Sequence, residues 1–298
     1  MPESFLSKCS ERARWTKARR CIFLSVLLFG MGTLFNLRCR QESPFLVLVI
    51  PVTPNNTKAR DIIRRTWGNQ TVVLGQEIRH FFLLGLSMGQ NGTEQPEPEL
   101  LQESRTYHDI LQSNFLDSYH NLTIKTMVMF EWLSDHCPFT SYAMKVDSDI
   151  FLNVRNLVDM LLKAPRHLYI TGSVARDAEV LRNSDSKWFL PVTAFPESTY
   201  PPYALGLGYV FSLDLPTRIL RASTHIRAIY IEDVYVGLCL RHLGVLPTDP
   251  PQEGLFMTTV PFLTNFCYWT SVITTILEDS EQLLDVWDTY QTEAQGKC

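Results

Sequence analysis

The chain has 298 residues, 45% of them apolar and 19% charged, with a net charge of −4. That is an ordinary globular composition. With no basic excess, it offers nucleic acid no electrostatic footprint.

The first 20 residues depart from this average. Lys8, Arg12, Arg14, Lys17, Arg19 and Arg20 face only Glu3 and Glu11. An uncharged run from Cys21 to Leu37 follows, at the short end of the length range for a membrane helix. The basic flank predicts a cytoplasmic tail at 1–20 and a lumenal C-terminal side. A cleaved signal peptide is the competing reading. Gly30-Met31-Gly32 would be its small-x-small site, but Leu34, Phe35 and Leu37 continue beyond it. We therefore expect an uncleaved signal anchor at 21–37, a short stem at 38–44 and a lumenal domain at 45–298.

Sequons at Asn55, Asn69, Asn91 and Asn121 fit a lumenal body, with Asn91 the safest choice because it lies in a polar loop. Five of the seven cysteines, Cys39, Cys137, Cys239, Cys267 and Cys298, fall on the lumenal side. Disulfides form there, and an odd number leaves at least one thiol over.

Phe45–Ile50 is a continuous apolar run between two prolines, as a buried parallel strand would be. A polar helix is expected over Lys58–Thr66, carrying the cluster Arg60, Arg64 and Arg65 with Trp67 just beyond. Guanidinium groups suit phosphates, and an indole offers a stacking face; a solvated helix face with one buried tryptophan is the plainer alternative. His80–Leu84 reads as a strand and Glu99 to about Ser113 as a helix. Leu122–His136 has mixed three- and four-residue apolar spacing and ends at Cys137-Pro138.

Tyr142–Val146 then reads as a strand that delivers Asp147 and Asp149. On an extended backbone residues i and i+2 share a face, so the two carboxylates are expected to point together. Hard oxygen pairs of this kind suit Mg²⁺ or Mn²⁺ carried with phosphate, although Asp-Ser-Asp is also ordinary turn chemistry. Val154–Leu162 reads as a helix and Leu168–Thr171 as a strand. Lys187-Trp188 and Tyr200-Pro-Pro-Tyr203 place aromatics in a proline-rich loop. Gly206 and Gly208 precede a strand-like Val210–Ser212, and Glu232-Asp233 open a helix closed by Gly244. Alternating units of this kind imply an α/β fold, an open sheet flanked by helices. Ligands of such sheets bind beyond the carboxyl ends of the strands.

The strings Ile63-Arg-Arg-Thr-Trp-Gly68, Glu103-Ser104, Asp109-Ile110, Phe115–Tyr119, Asn121–Thr123 with Lys125-Thr126, Lys145–Phe151, Tyr200–Tyr203 and Glu232–Leu240 occur in one order. Together they resemble the Golgi β-1,3-glycosyltransferase family, most closely its β-1,3-galactosyltransferases. The resemblance spans about residues 39–287. It implies a GT-A-type, mostly parallel sheet in a single-pass type II Golgi membrane protein. It also implies inverting transfer of galactose from UDP-galactose to the 3-hydroxyl of a terminal N-acetylhexosamine on a protein- or lipid-borne glycan. It places the general base at Asp233 and the Mn²⁺ ligands at Asp147 and Asp149. Arg64, Trp67, Asp109, Lys125, Asp147 and Trp188 would contact the donor, Trp188 and Tyr203 flanking the sugar or acceptor.

Three positions depart from the family pattern. The histidine that completes the metal site falls at Ile276. Ala204 and Thr275 stand where cysteines are expected, which leaves Cys239 and Cys267 without their usual partners. The alternative reading is therefore a weak or inactive homologue serving as a lumenal binding partner or chaperone; if the protein is active, UDP-GlcNAc is the alternative donor.

Overall fold

A computed structural model describes residues 39, 43–87, 98–262, 266–296 and 298. The expected tail, signal anchor and most of the stem lie outside these residues, as does Asn91. Among the described helices, none is long and apolar enough to cross a membrane.

The main sheet has the strand order β4 (Ile110–Leu116), β3 (Gln76–Leu86), β1 (Leu46–Pro51), β5 (Tyr142–Val146), β8 (Tyr203–Ser212), β7 (Ile170–Ala175). The short β2 (Val72–Val73) pairs antiparallel with the start of β3. β4, β3, β1 and β5 run parallel, and β8 runs against both β5 and β7. A small second sheet joins β6 (Ile150–Leu152), β10 (Thr274–Ile276) and β9 (Phe256–Met257).

β1 shows why the sheet sits in the middle. Leu46, Leu48 and Ile50 enter one core, while Val47 and Val49 enter the other, as the two-residue period of a doubly covered strand requires. On the first side pack α1 (Thr57–Arg65), α4 (Val154–Leu162) and α8 (Gln282–Gln295). On the second pack α3 (Leu122–His136), α5 (Leu215–Ser223) and α6 (Glu232–Leu243). The mixed α/β architecture with a mostly parallel sheet agrees with the expectation.

Two local expectations are corrected. The helix expected from Glu99 to Ser113 is α2 (Pro98–Tyr107) followed by strand β4. His108 takes a left-handed φ of 57° and breaks the helix. The edge of β3 then captures the apolar residues beyond it, Ile110 opposite Phe82; an open strand edge outweighs weak local propensity. Cys267, expected to lack a partner, is bonded to Cys298, and Cys39 to Cys137. α8 runs back along α7 (Tyr268–Ser271) and returns the chain end to Cys267. Cys239 is a buried free thiol. Of the described sequons, Asn55 and Asn69 are exposed, and Asn121 donates its side-chain N–H to Leu116 O at 2.8 Å.

The basic cluster of α1 is not a solvated face. Arg60 is fully buried and binds both oxygens of Glu103 at 2.7 and 2.6 Å. Arg64 binds Asp109 at 2.7 and 2.8 Å and Glu103 at 2.8 Å. Burial works to raise both carboxyls, but Arg60 and Arg64 overcome it at Glu103, as His80 and Arg64 do at Asp109, so both lie below their ordinary values. A carboxylate held low adds stability above its ordinary pKa, and that contribution disappears as the pH falls through the lowered value. Arg64→Met, which strands buried carboxylate charge, should cost about 3–5 kcal/mol at pH 7. The deficit should shrink below about pH 4, where carboxyls protonate. Urea unfolding at both pH values checks this, and an equal deficit at both would show that the charge is not the cause.

Candidate active site

Within β5, Tyr142, Met144 and Val146 pack into one core and Ala143 into the other. Lys145 is the exception, a buried charge inside an apolar strand. Such a charge must be paired. Its Nζ lies 2.7 Å from Asp147 Oδ1 and 3.2 Å from Glu232 Oε1, and it donates to the carbonyl of Gly206. Burial works to lower the pKa of Lys145, but Asp147 and then Glu232 outweigh it and raise it, which favours the ammonium form.

Beyond Val146 the chain leaves the extended conformation and turns. Asp147 and Asp149 therefore flank a turn rather than alternate along a strand, which corrects the geometry expected of them. The turn is held on three sides: Asp147 N–H donates to Leu207 O at 3.0 Å, Leu277 N–H donates to Asp149 O at 2.9 Å, and the Trp67 indole donates to Ile150 O at 3.1 Å. Both carboxylates remain half-exposed. Burial, then the charge of Asp147, raises the pKa of Asp149.

Asp233 approaches from the opposite side, in the first turn of α6. α6 lies close against β8 because residue 237 is glycine; a Cβ there would stand 2.7 Å from Tyr203 Cβ. Asp233 Oδ2 accepts the Gly206 N–H and Oδ1 the Val234 N–H, each at 2.8 Å. Burial raises its pKa, and those two N–H groups hold the rise down. Gly206 thus binds Lys145 through its carbonyl and Asp233 through its N–H. A Cβ on Gly206 would lie 2.9 Å from Glu232 Oε1 and 3.3 Å from Asp233 Oδ2, so any side chain here would push on both carboxylates.

Glu232 is buried beside this base candidate. Its Oε2 accepts from Thr126 Oγ1 at 3.0 Å and from Tyr209 OH at 3.3 Å. Its Oε1 has no aligned hydrogen bond and meets Lys145 as an ion pair. Burial pushes its pKa up to about 7, with Lys145 opposing and Asp233 and Asp147 adding to the rise.

The remaining candidates divide into supports and surfaces. Trp67 is fully buried; it braces the aspartate turn from beneath and presents no open face. Arg64 and Asp109 are committed to each other in the α1–α2 ion cluster. Lys125 is buried against Asp117 at 2.7 Å and Val52 O at 2.9 Å, past the ends of β4 and β1 and within electrostatic reach of Asp147. Burial lowers its pKa, and Asp117 opposes that shift.

Trp188 is 47% exposed, with the Lys187 ammonium over its ring. The segment is pinned by Tyr230 OH, which donates to Lys187 O at 3.0 Å and Phe189 O at 2.6 Å. Tyr230, Tyr119 and His120 form an edge-to-face group. Burial and then the nearby Asp233 charge raise the Tyr203 phenol to about 12. Aromatic faces therefore stand near the base candidate.

Ile276 sits opposite Ile150 in the small sheet, next to Leu277, whose N–H binds Asp149 O. Its side chain packs on the first core. Among the described residues, no group of three or more His, Cys, Asp or Glu is placed to hold a metal ion.

Lys145, Gly206, Glu232, Tyr119 and Tyr230 were not among the site residues expected from sequence. The signals available were a charged residue inside the apolar run Tyr142–Val146, the Gly206/Gly208 pair before a strand and the acidic opening of the helix at Glu232.

The galactosyltransferase family model matches residues 58–251, a span that holds both aspartates of the turn and Asp233. The chain is 42% identical over 264 residues, 88% of its own length, to beta-1,3-galactosyltransferase 2 of Homo sapiens, of which it spans 62%. It is 38% identical over 264 residues, again 88% of its length, to beta-1,3-galactosyltransferase 1 of Mus musculus, of which it spans 78%. The chain belongs to the galactosyltransferase family.

Proposed function

We propose that this protein transfers galactose, with inversion, from UDP-galactose to the 3-hydroxyl of a terminal N-acetylhexosamine on a glycoprotein or glycolipid. One observation carries the reading: paired carboxylates at a strand-end turn and a buried carboxylate at a helix start meet around Gly206 and Lys145. Asp233 then removes the acceptor's proton. Its burial strengthens proton affinity, and two backbone N–H groups fix its oxygens. Trp188, Tyr230 and Tyr119 supply faces on which a sugar ring can stack.

Asp147 and Asp149 would hold Mn²⁺. Two carboxylates without a third protein ligand fit a hard ion that takes its other oxygens from diphosphate and water. When bound, the ion supplies charge that stabilises the leaving UDP. The apolar run at 21–37 would anchor the protein in the Golgi membrane, with the catalytic domain lumenal.

A second reading, a weak or inactive homologue acting as a binding partner, is favoured by Ile276 beside Asp149. One assay separates the two. Detergent-solubilised full chain is given UDP-galactose, with or without Mn²⁺, and acceptors ending in GlcNAc or GalNAc. Mn²⁺-dependent transfer is expected; none on any acceptor supports the second reading.

Asp233→Asn should slow transfer about 10²–10⁴-fold, the range of a general base, while UDP binding persists. Transfer at the wild-type rate would remove Asp233 as the base. Gly206→Ala, which crowds both acidic side chains, should slow transfer on the order of 10²-fold, as small misplacements do. The thermal midpoint should change little. A wild-type rate in Gly206→Ala would show that the close approach is not needed for turnover.

A further inference from the structure

We propose that Glu232 is a positioning residue that shares Lys145 with Asp147 and so keeps the Asp147 carboxylate available to a divalent cation. The inference rests on the reading of Asp147 and Asp149 as a cation–diphosphate site. One ammonium lies between two carboxylates, 2.7 Å from Asp147 and 3.2 Å from Glu232. It cannot swing away, because it is buried and its third contact is the Gly206 carbonyl.

Glu232 is held just as firmly. Thr126 and Tyr209 take its Oε2, which leaves Oε1 facing Lys145. Oε1 has no aligned hydrogen bond although it is buried, so charge attraction to Lys145 is its compensation.

The consequence is electrostatic. With both carboxylates ionised, the lysine neutralises neither completely, and Asp147 keeps charge on its half-exposed side. If Glu232 loses its charge, Lys145 pairs with Asp147 alone. Asp147 then becomes a weaker ligand although nothing at the cation position has moved. The polar partners of Glu232 among the described residues are Thr126, Tyr209 and Lys145, so its influence on Asp147 passes through Lys145. Outer-shell partners of this kind commonly set metal affinity.

The test measures Mn²⁺ binding to the full chain in the presence of UDP at pH 8 by the electron paramagnetic resonance signal of free Mn²⁺. Glu232→Gln should raise the Mn²⁺ dissociation constant about tenfold or more. The double variant Lys145→Met/Glu232→Gln removes both buried charges and should return Mn²⁺ binding to the wild-type range. Thr126→Val, which leaves all charges in place, should bind as wild type does.

Undiminished binding in Glu232→Gln overturns the proposal. So does a double variant weaker than the single one, the pattern of a merely structural residue. Should Glu232→Gln fail to fold, the double variant decides alone: wild-type binding supports the proposal and lost binding overturns it. A wild-type protein that binds no Mn²⁺ with UDP overturns the cation site itself, and this inference with it.

Discussion

The site depends on a lysine that the fold cannot hydrate. A buried ammonium is costly unless partners surround it. Lys145 therefore obliges three separate pieces of chain to converge: the turn after β5 through Asp147, the middle of β8 through the Gly206 carbonyl, and the first turn of α6 through Glu232. Asp233 gains its place from the same convergence, because the peptide that satisfies Lys145 also donates to Asp233. The turn that carries Asp147 and Asp149 and the helix with Asp233 in its first turn are thus joined by one side chain and one glycine. Their relative position is set by electrostatic necessity as much as by core packing.

Much of this was legible in the chain, and the reasons are local. β5, α3 and α4 match the bounds read from periodicity, because each is long or wholly apolar and bounded by strong punctuation. The helix from Glu232 to Leu243 announced itself by acidic residues in its first turn and Gly244 at its left-handed cap. The family resemblance added what periodicity cannot, by pointing to Asp147, Asp149 and Asp233 among 31 acidic residues.

What was missed depends on tertiary partners. β4 is a strand because β3 has a free edge, and no property of Ile110–Leu116 alone says so. Arg64 and Asp109 were expected at the donor, yet they satisfy each other; from sequence, a guanidinium paired with a carboxylate looks the same as one awaiting phosphate. Trp67 shows the same ambiguity, since an indole that braces a turn and one that stacks on a base share a spelling. The Cys267–Cys298 bond needed the return path of α8, which spacing does not encode.

Cys239 carries a different kind of information. It is the one free thiol among the described residues, buried on the third turn of the helix that begins with Glu232 and Asp233. Burial raises its pKa to about 12, so in the closed fold it is nearly inert as a nucleophile. A thiol reagent can reach it only when the packing around α6 opens. The rate at which Cys239 is labelled is therefore a clock for the loosening of the helix that begins with Glu232 and Asp233, one that can be read without substrate, metal or turnover.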